Sequence, residues 1–259
     1  MADRNFDDLA TKFARKIYGG SKGAIRMAVL ERDLRDAGLF ENPPARMLEA
    51  GGGFGLFGQR FAPLGTDTTV VDISQAMLAE GQAMWREKQT VATDKWGTIT
   101  WQHQAIQDTQ GAYPLVCCHA VLEWVEEPEV VLSQVVERVD ESGTLSLMVF
   151  NEVALVWKNV LFGRIEKVLS ERLHGFGNSL TPKHAFTIAQ IEAWLTERGM
   201  VVERISGVRI FHDFLNPTVR ERLWQSADTY LHLELQYSTQ PVYRDMARYL
   251  HFVCRKSKA

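Results

Sequence analysis

The sequence predicts an α/β fold built on a mostly parallel sheet, and three observations predict it. Apolar runs of strand length alternate with segments of helical periodicity, a glycine-rich loop follows the first run, and the second run ends in an acidic residue. Such alternation gives parallel strands joined by right-handed crossovers. A chain of 259 residues with 46% hydrophobic content can bury one sizeable core, so a single domain over 1–259 is expected. The net charge of −3 leaves no global basic field, so any nucleic-acid surface must be local. The charged opening MADRNFDDLATKFARKIYGG is unlike a secretory leader, and no apolar run approaches the ~18 residues of a membrane span. Cys117, Cys118 and Cys254 form no CxxC pair, and the chain reads as cytoplasmic.

Residues 7–17 and 23–37 carry apolar residues at helical spacing, forming an N-terminal helical segment within 1–40 that breaks at YGGSKG. ARMLEA (45–50) reads as a buried strand and 55–63 as the helix after it. DTTVVDI (67–73) is a second strand, with Ser74 as N-cap of the helix QAMLAEGQAMWREK. TITWQHQ (98–104) and YPLVCCHA (113–120) are the third and fourth strands. A helix over 128–139 leads through the turn DESG into the strand TLSLMVF (144–150). A helix over 188–199, a strand over 201–210 and a last strand over 247–256 complete the alternation. Residues 151–187 and 211–246 are helical insertions, far longer than the usual α/β loop. Beyond the carboxyl ends of the strands they would cap the ligand crevice; elsewhere they would be decoration.

The loop LEAGGGFGLFG carries five glycines, and two registers compete. GxGxG at Gly51, Gly53 and Gly55 suits a loop lying flat against an adenosyl ligand. GxGxxG at Gly53, Gly55 and Gly58 matches the dinucleotide pattern but begins late after the strand. Asp72 ends the second strand, where a carboxylate can accept both ribose hydroxyls; it could also be a solvated helix cap. These features identify adenosine rather than the chemistry. QAIQD (104–108) follows the third strand, where a methyltransferase places polar groups around adenine, and HAVLEWVEEP (119–128) follows the fourth. No second domain with a hydride-transfer pattern follows, so a methyltransferase is expected rather than a nicotinamide enzyme.

Four segments, DRNFDDLATKFARKIYGGSKGAIR, LEAGGGFG, HAVLEWV and GVRIFHDFL, together resemble the bacterial tRNA 5-carboxymethoxyuridine methyltransferases over nearly the whole chain. The resemblance implies a class I methyltransferase Rossmann-like fold with a seven-stranded sheet and helices on both faces. It implies methyl transfer from S-adenosylmethionine to the carboxylate of 5-carboxymethoxyuridine at the tRNA wobble position, giving a methyl ester. The family's cofactor contacts fall on Arg26, Gly51, Gly52, Asp72, Ile106, Gln107 and His119. Arg26 would neutralise the methionine carboxylate, Asp72 would hold the ribose, Ile106 and Gln107 would bracket the adenine, and His119 would position the methionine end. Where family members carry a lysine-rich run, this chain reads LHGFGNSLTPKHAF, with only Lys183.

A carboxylate is already a nucleophile, so this reaction needs positioning rather than a catalytic base, and none is assigned. Arg209 in GVRIFHDF is the candidate clamp for an anionic acceptor, equally readable as a surface arginine paired with a nearby acid. Lys12, Arg15, Lys16, Lys22 and Arg26, interleaved with Phe13 and Tyr18, include no acid among them. They could hold tRNA phosphates and stack a base, or form a solvated helix face. The histidines lack metal-ligand spacing and Cys117 and Cys118 read as core, so no metal is expected. Two rival readings remain: a methyltransferase for a small carboxylic acid or other metabolite, and a cofactor-binding RNA-interaction protein without turnover.

Overall fold

A computed structural model describes residues 4–7, 20–91, 93, 95–170, 173 and 182–257. The expected helix over 7–17 and Lys12, Phe13, Arg15, Lys16 and Tyr18 lie outside the described residues, as does most of 171–181. Among the described residues, α1 (Ser21–Asp36) precedes β1 (Arg46–Ala50), α2 (Gly58–Phe61), β2 (Asp67–Asp72) and α3 (Gln75–Lys88). Then follow β3 (Ile99–His103), β4 (Tyr113–His119), α4 (Pro128–Glu137) and β5 (Val139–Phe150). The first insertion contains α5 (Glu152–Leu161) and α6 (Ile165–Leu169), before α7 (Ile188–Glu197) and β6 (Met200–Val208). The second contains α8 (Pro217–Trp224), α9 (Ala227–Tyr237) and α10 (Tyr243–Met246), before β7 (Tyr249–Lys256).

The strands form one sheet in the order β3-β2-β1-β4-β5-β7-β6. All pairs are parallel except those made by β7, which runs antiparallel to β5 and β6. Strand alternation sends Leu48, Val116, Cys118 and Leu147 to one face, against Leu132 and Val135 of α4 and Ile191 and Leu195 of α7. It sends Met47, Leu115, Cys117 and Met148 to the other, against Val29, Leu30 and Leu34 of α1. This is the doubly wound, Rossmann-like arrangement expected, and all three cysteines are buried and free. No described helix is long and apolar enough to cross a membrane.

Three local expectations need correction. The helix expected over 55–63 starts late, at Gly58, because residues 51–57 are spent on a turn, and after Phe61 it continues as a 3₁₀ turn over Ala62–Leu64. DESG (140–143) falls inside the span of β5 but pairs with neither β4 nor β7: the register jumps from Tyr113↔Val139 to Leu115↔Thr144, with Ser142 at φ +61°. The expected turn is thus kept as an irregularity within the strand rather than as a break before it. The strand expected to reach residue 210 ends at Val208, because Arg209 takes φ +62°. Ser74 does cap α3, its hydroxyl accepting from the Met77 N–H at 3.2 Å.

Candidate functional site

The loop after β1 is closed by two carboxylates. Glu49, buried at the strand end, accepts from the N–H groups of Phe57 and Gly58 at 3.1 and 2.8 Å. Asp72, at the end of β2, accepts from Gly53 N–H and Ser74 N–H, both at 2.8 Å. Asp72 is therefore not the helix cap. Burial raises the Asp72 carboxyl above its ordinary pKa against these hydrogen bonds. Burial likewise pushes Glu49 up to about 7.

Gly51 and Gly53 hold φ of +65° and +51°, where a side chain is strained. The registers are thereby separated: Gly51, Gly53 and Gly55 all take positive φ, whereas Gly58 opens α2. The space freed by the missing side chains is taken by the protein itself. A Cβ on Gly51 would lie 2.5 Å from Val121, and one on Gly53 2.7 Å from Met77. The glycines thus shape the turn, and its exposed backbone forms one wall of a cleft.

That cleft, about 1320 Å³ with its open mouth, lies at the carboxyl ends of β1, β2 and β4, where open α/β sheets bind ligands. All seven residues expected at the cofactor, Arg26, Gly51, Gly52, Asp72, Ile106, Gln107 and His119, line it. Sequence reasoning missed Arg4, Phe6, Trp124 and Tyr249, which also line it. Phe6 meets Trp124 edge-on at 5.0 Å, and Asp7 accepts from the Ser74 hydroxyl at 2.7 Å. Residues 4–7 therefore bridge the rim between the loops that follow β2 and β4. Arg26 comes from α1 and lies 5.2 Å from the Tyr249 ring.

A cationic patch adjoins the cleft through that same tyrosine. The Arg209 guanidinium is 5.0 Å from the Tyr249 ring, and its Nε faces Asp213 Oδ2 at 2.9 Å as an ion pair. Arg209 is 5% exposed, so it is neither the surface arginine of the bland reading nor part of the cleft wall. Arg248 stacks 4.3 Å from Phe150, and its Nε and Nη1 are buried without a hydrogen-bond partner. Lys22 of α1, Lys158 of α5 and Arg220 of α8 act on the same neighbourhood electrostatically. Burial and then Arg248 lower the Lys158 ammonium to about 8, while Asp213 opposes. Burial would raise the Asp213 carboxyl, but Arg209, Arg248 and Lys22 hold it low. The Asp213 carboxylate thus faces Arg209, Arg248, Lys22 and Lys158, and Arg248 keeps two buried donors unanswered. Such a site is electrostatically prepared for a second anion.

The second insertion fixes this patch. Glu234 of α9 accepts from the N–H groups of Ile210, Phe211 and His212 at 2.7, 3.2 and 3.0 Å. Those bonds hold the chain beyond Arg209 in its left-handed turn. Among the described residues, neither 151–187 nor 211–246 contributes to the cleft wall; both reach the patch instead.

A family model described as a methyltransferase domain matches residues 48–145. The tRNA 5-carboxymethoxyuridine methyltransferase of Escherichia coli is 35% identical over 266 residues, spanning 100% of this chain and 98% of that protein. A ubiquinone biosynthesis O-methyltransferase of Xanthomonas axonopodis is 23% identical over 71% of this chain and 72% of that protein. Among solved structures, magnesium protoporphyrin IX methyltransferase from Synechocystis with bound SAH superposes with a TM-score of 0.66 at 17% identity, covering 97% of this chain and 96% of that one. A plantazolicin methyltransferase in complex with SAH gives 0.58 at 16% identity over 96% and 91% of the two chains. The fold is that of the class I methyltransferases.

Glu49→Gln should lower stability by about 1–3 kcal/mol, because an amide nitrogen would face one of the two N–H donors. The folded state holds the Glu49 proton up to about 7, against 4.5 for the free group. The parent's stability from this group is therefore full below pH 4.5 and falls as pH rises through 7. Urea titrations should find the variant's deficit narrowing over that window. A deficit that widens with pH would mean the two hydrogen bonds outweigh burial.

Proposed function

This chain belongs to the tRNA 5-carboxymethoxyuridine methyltransferase family, and on that premise we propose that it esterifies the carboxylate of 5-carboxymethoxyuridine at the wobble position of tRNA. The observation that carries the proposal is the cationic patch beside the cleft, with the buried, unanswered donors of Arg248 at its centre. The family's cofactor is S-adenosylmethionine, whose sulfonium supplies an electrophilic methyl group when bound.

The cleft suits that molecule. Asp72, bonded to the loop through one N–H on each oxygen, retains acceptor capacity for a ribose diol. Gln107 and Ile106 offer a polar and an apolar flank for a base, and Arg26 offers a cation for an amino-acid carboxylate. Beside it, Arg209 and Arg248 would grip the acceptor carboxylate, held in line by Tyr249 between cleft and patch. With that methyl donor bound, an acceptor carboxylate oxygen aligned by these residues would form the C–O bond of a neutral ester as the S–CH₃ bond is given up to a thioether. No proton moves. The residues act by desolvating and aligning two charged reactants, which can account for ~7–11 kcal/mol of a barrier. The ester has lost the carboxylate charge that the patch would hold, which favours its release.

We also propose that the insertions 151–187 and 211–246 cap the acceptor side of a single domain. Lys12, Arg15, Lys16 and Tyr18 would meet the anticodon arm, through phosphate charge and base stacking.

Asp72→Ala should weaken binding of S-adenosylhomocysteine by about 1–3 kcal/mol in titration calorimetry. Unchanged affinity in a folded variant would remove Asp72 from the cofactor site. Arg209→Ala and Arg248→Ala should each keep near-parental cofactor affinity yet slow single-turnover methylation of tRNA bearing 5-carboxymethoxyuridine by about 100-fold or more. Arg209→Lys should recover only part of that rate, since one ammonium cannot replace the planar fork. Parental rates in both alanine variants would refute a carboxylate clamp here. Replacing Lys12, Arg15 and Lys16 with alanine together should weaken tRNA binding and flatten its salt dependence without altering cofactor affinity. An unchanged salt slope would return that run to an ordinary solvated face.

A further inference from the structure

Between α1 and the sheet, where apolar residues would be expected, one helix position and three strand positions hold polar ones. Asp33 of α1, Ser146 of β5, Ser206 of β6 and His251 of β7 are all 0% exposed. Burial of such groups is tolerated only when each is bonded. The bonds run in one line. Asp33 Oδ1 accepts from Arg32 Nε at 2.8 Å and from the Ser206 hydroxyl at 3.0 Å, with Arg204 Nη1 at 3.5 Å. Asp33 Oδ2 lies 2.7 Å from His251 Nδ1, His251 Nε2 lies 2.8 Å from Ser146 Oγ, and Ser146 Oγ lies 2.8 Å from His119 Nε2. The line therefore ends on a residue of the cleft wall, and His119 Nδ1 is the ring nitrogen left over.

Hydrogen-bond polarity propagates along such a line, since each link holds one proton. Asp33 is ringed by donors and can only accept, so His251 must carry its proton on Nδ1. Its Nε2 then accepts from the Ser146 hydroxyl, whose oxygen accepts from His119 Nε2–H. We propose that Asp33, Ser146 and His251 are positioning residues that fix the tautomer of His119, so that it offers a lone pair on Nδ1 to the methionine ammonium of the cofactor. This rests on the reading that Arg26 and His119 lie at the amino-acid end of S-adenosylmethionine. Burial, the largest cause, holds the His119 imidazole well below its ordinary pKa, which keeps it singly protonated. With Arg26 for the carboxylate and His119 for the ammonium, the cleft would read both charges of a zwitterion.

Asp33→Asn tests this by reversing the line. Arg32, Ser206 and Arg204 pin the amide oxygen where Oδ1 now sits, so the amide nitrogen must face His251 and donate to Nδ1. Every bond beyond it then inverts, and His119 presents Nδ1–H to the cleft; the same logic makes an Asp-to-Asn change give a wrong histidine tautomer in a catalytic triad. Histidine side-chain ¹⁵N spectra of the full chain should place the His119 proton on Nε2 in the parent and on Nδ1 in Asp33→Asn. Calorimetry should find S-adenosylhomocysteine binding weakened about tenfold or more, while adenosine, which lacks the amino-acid tail, binds as before. Ser146→Ala, which cuts the line without reversing it, should give mixed His119 tautomers and a smaller loss. An imidazolium at His251 in the parent, or an unchanged His119 tautomer in folded Asp33→Asn, would overturn the proposal. If Asp33→Asn does not fold, an unchanged tautomer in Ser146→Ala overturns it instead. Equal losses for adenosine and S-adenosylhomocysteine would mean a merely structural network. A reversed tautomer with unchanged S-adenosylhomocysteine affinity would overturn the ammonium contact, and with it the placement of His119 at the methionine end, while leaving the relay standing.

Discussion

The cleft depends on two carboxylates that close one loop. Glu49 ties the start of α2 back to β1, and Asp72 ties Gly53 to the end of β2. Without those bonds the positive-φ turns at Gly51 and Gly53 would have little to over-determine them, and the backbone wall between β1 and β2 would not exist. Everything that lines the cleft is placed relative to that wall. Val121 and Met77 fill the spaces where glycine side chains would be, so the loop after β4 and the first turn of α3 pack directly on the turn.

A second constraint of the same kind builds the acceptor side. Glu234 gathers three consecutive N–H groups and so holds the left-handed turn at Arg209. In both places a buried carboxyl carries backbone donors, and the neighbouring backbone adopts conformations it would otherwise avoid. The two sites meet at Tyr249, which touches both Arg26 and Arg209. Cofactor charge and acceptor charge are thus managed on either side of one aromatic ring, in keeping with a reaction that requires alignment and no base.

Most of the cofactor side was legible because its signals are local. Glycines at 51, 53 and 55, the acid at 72 and the polar segment at 104–108 each follow a strand within a few residues, and short loops put them on one sheet edge. The acceptor side was half legible. Arg209 stood out through its motif, and its partner Asp213 is only four residues away. Arg248 and Lys158 carried no signal, because antiparallel β7 and the first insertion bring them in from distant chain positions. Arg4 and Phe6 were hidden for the same reason, reaching Trp124 across more than a hundred residues. The DESG segment keeps its turn character, at Ser142, but β5 continues on both sides of it, so the strand begins at Val139 rather than at Thr144, where the local signal puts it. The buried line from Asp33 to His119 could not be seen at all: its members lie on three strands and a helix, and each alone looks like an ordinary polar interruption.

The central claim is that methyl transfer goes to a carboxylate on a modified wobble uridine. The most direct measurement incubates the protein with S-adenosylmethionine and tRNA that bears or lacks 5-carboxymethoxyuridine, then digests the RNA and weighs its nucleosides. The claim predicts a methyl ester that mild base removes, formed only on the carboxylated nucleoside. Methylation of the tRNA lacking that group, or no methylation of either while free small acids are esterified, would contradict it.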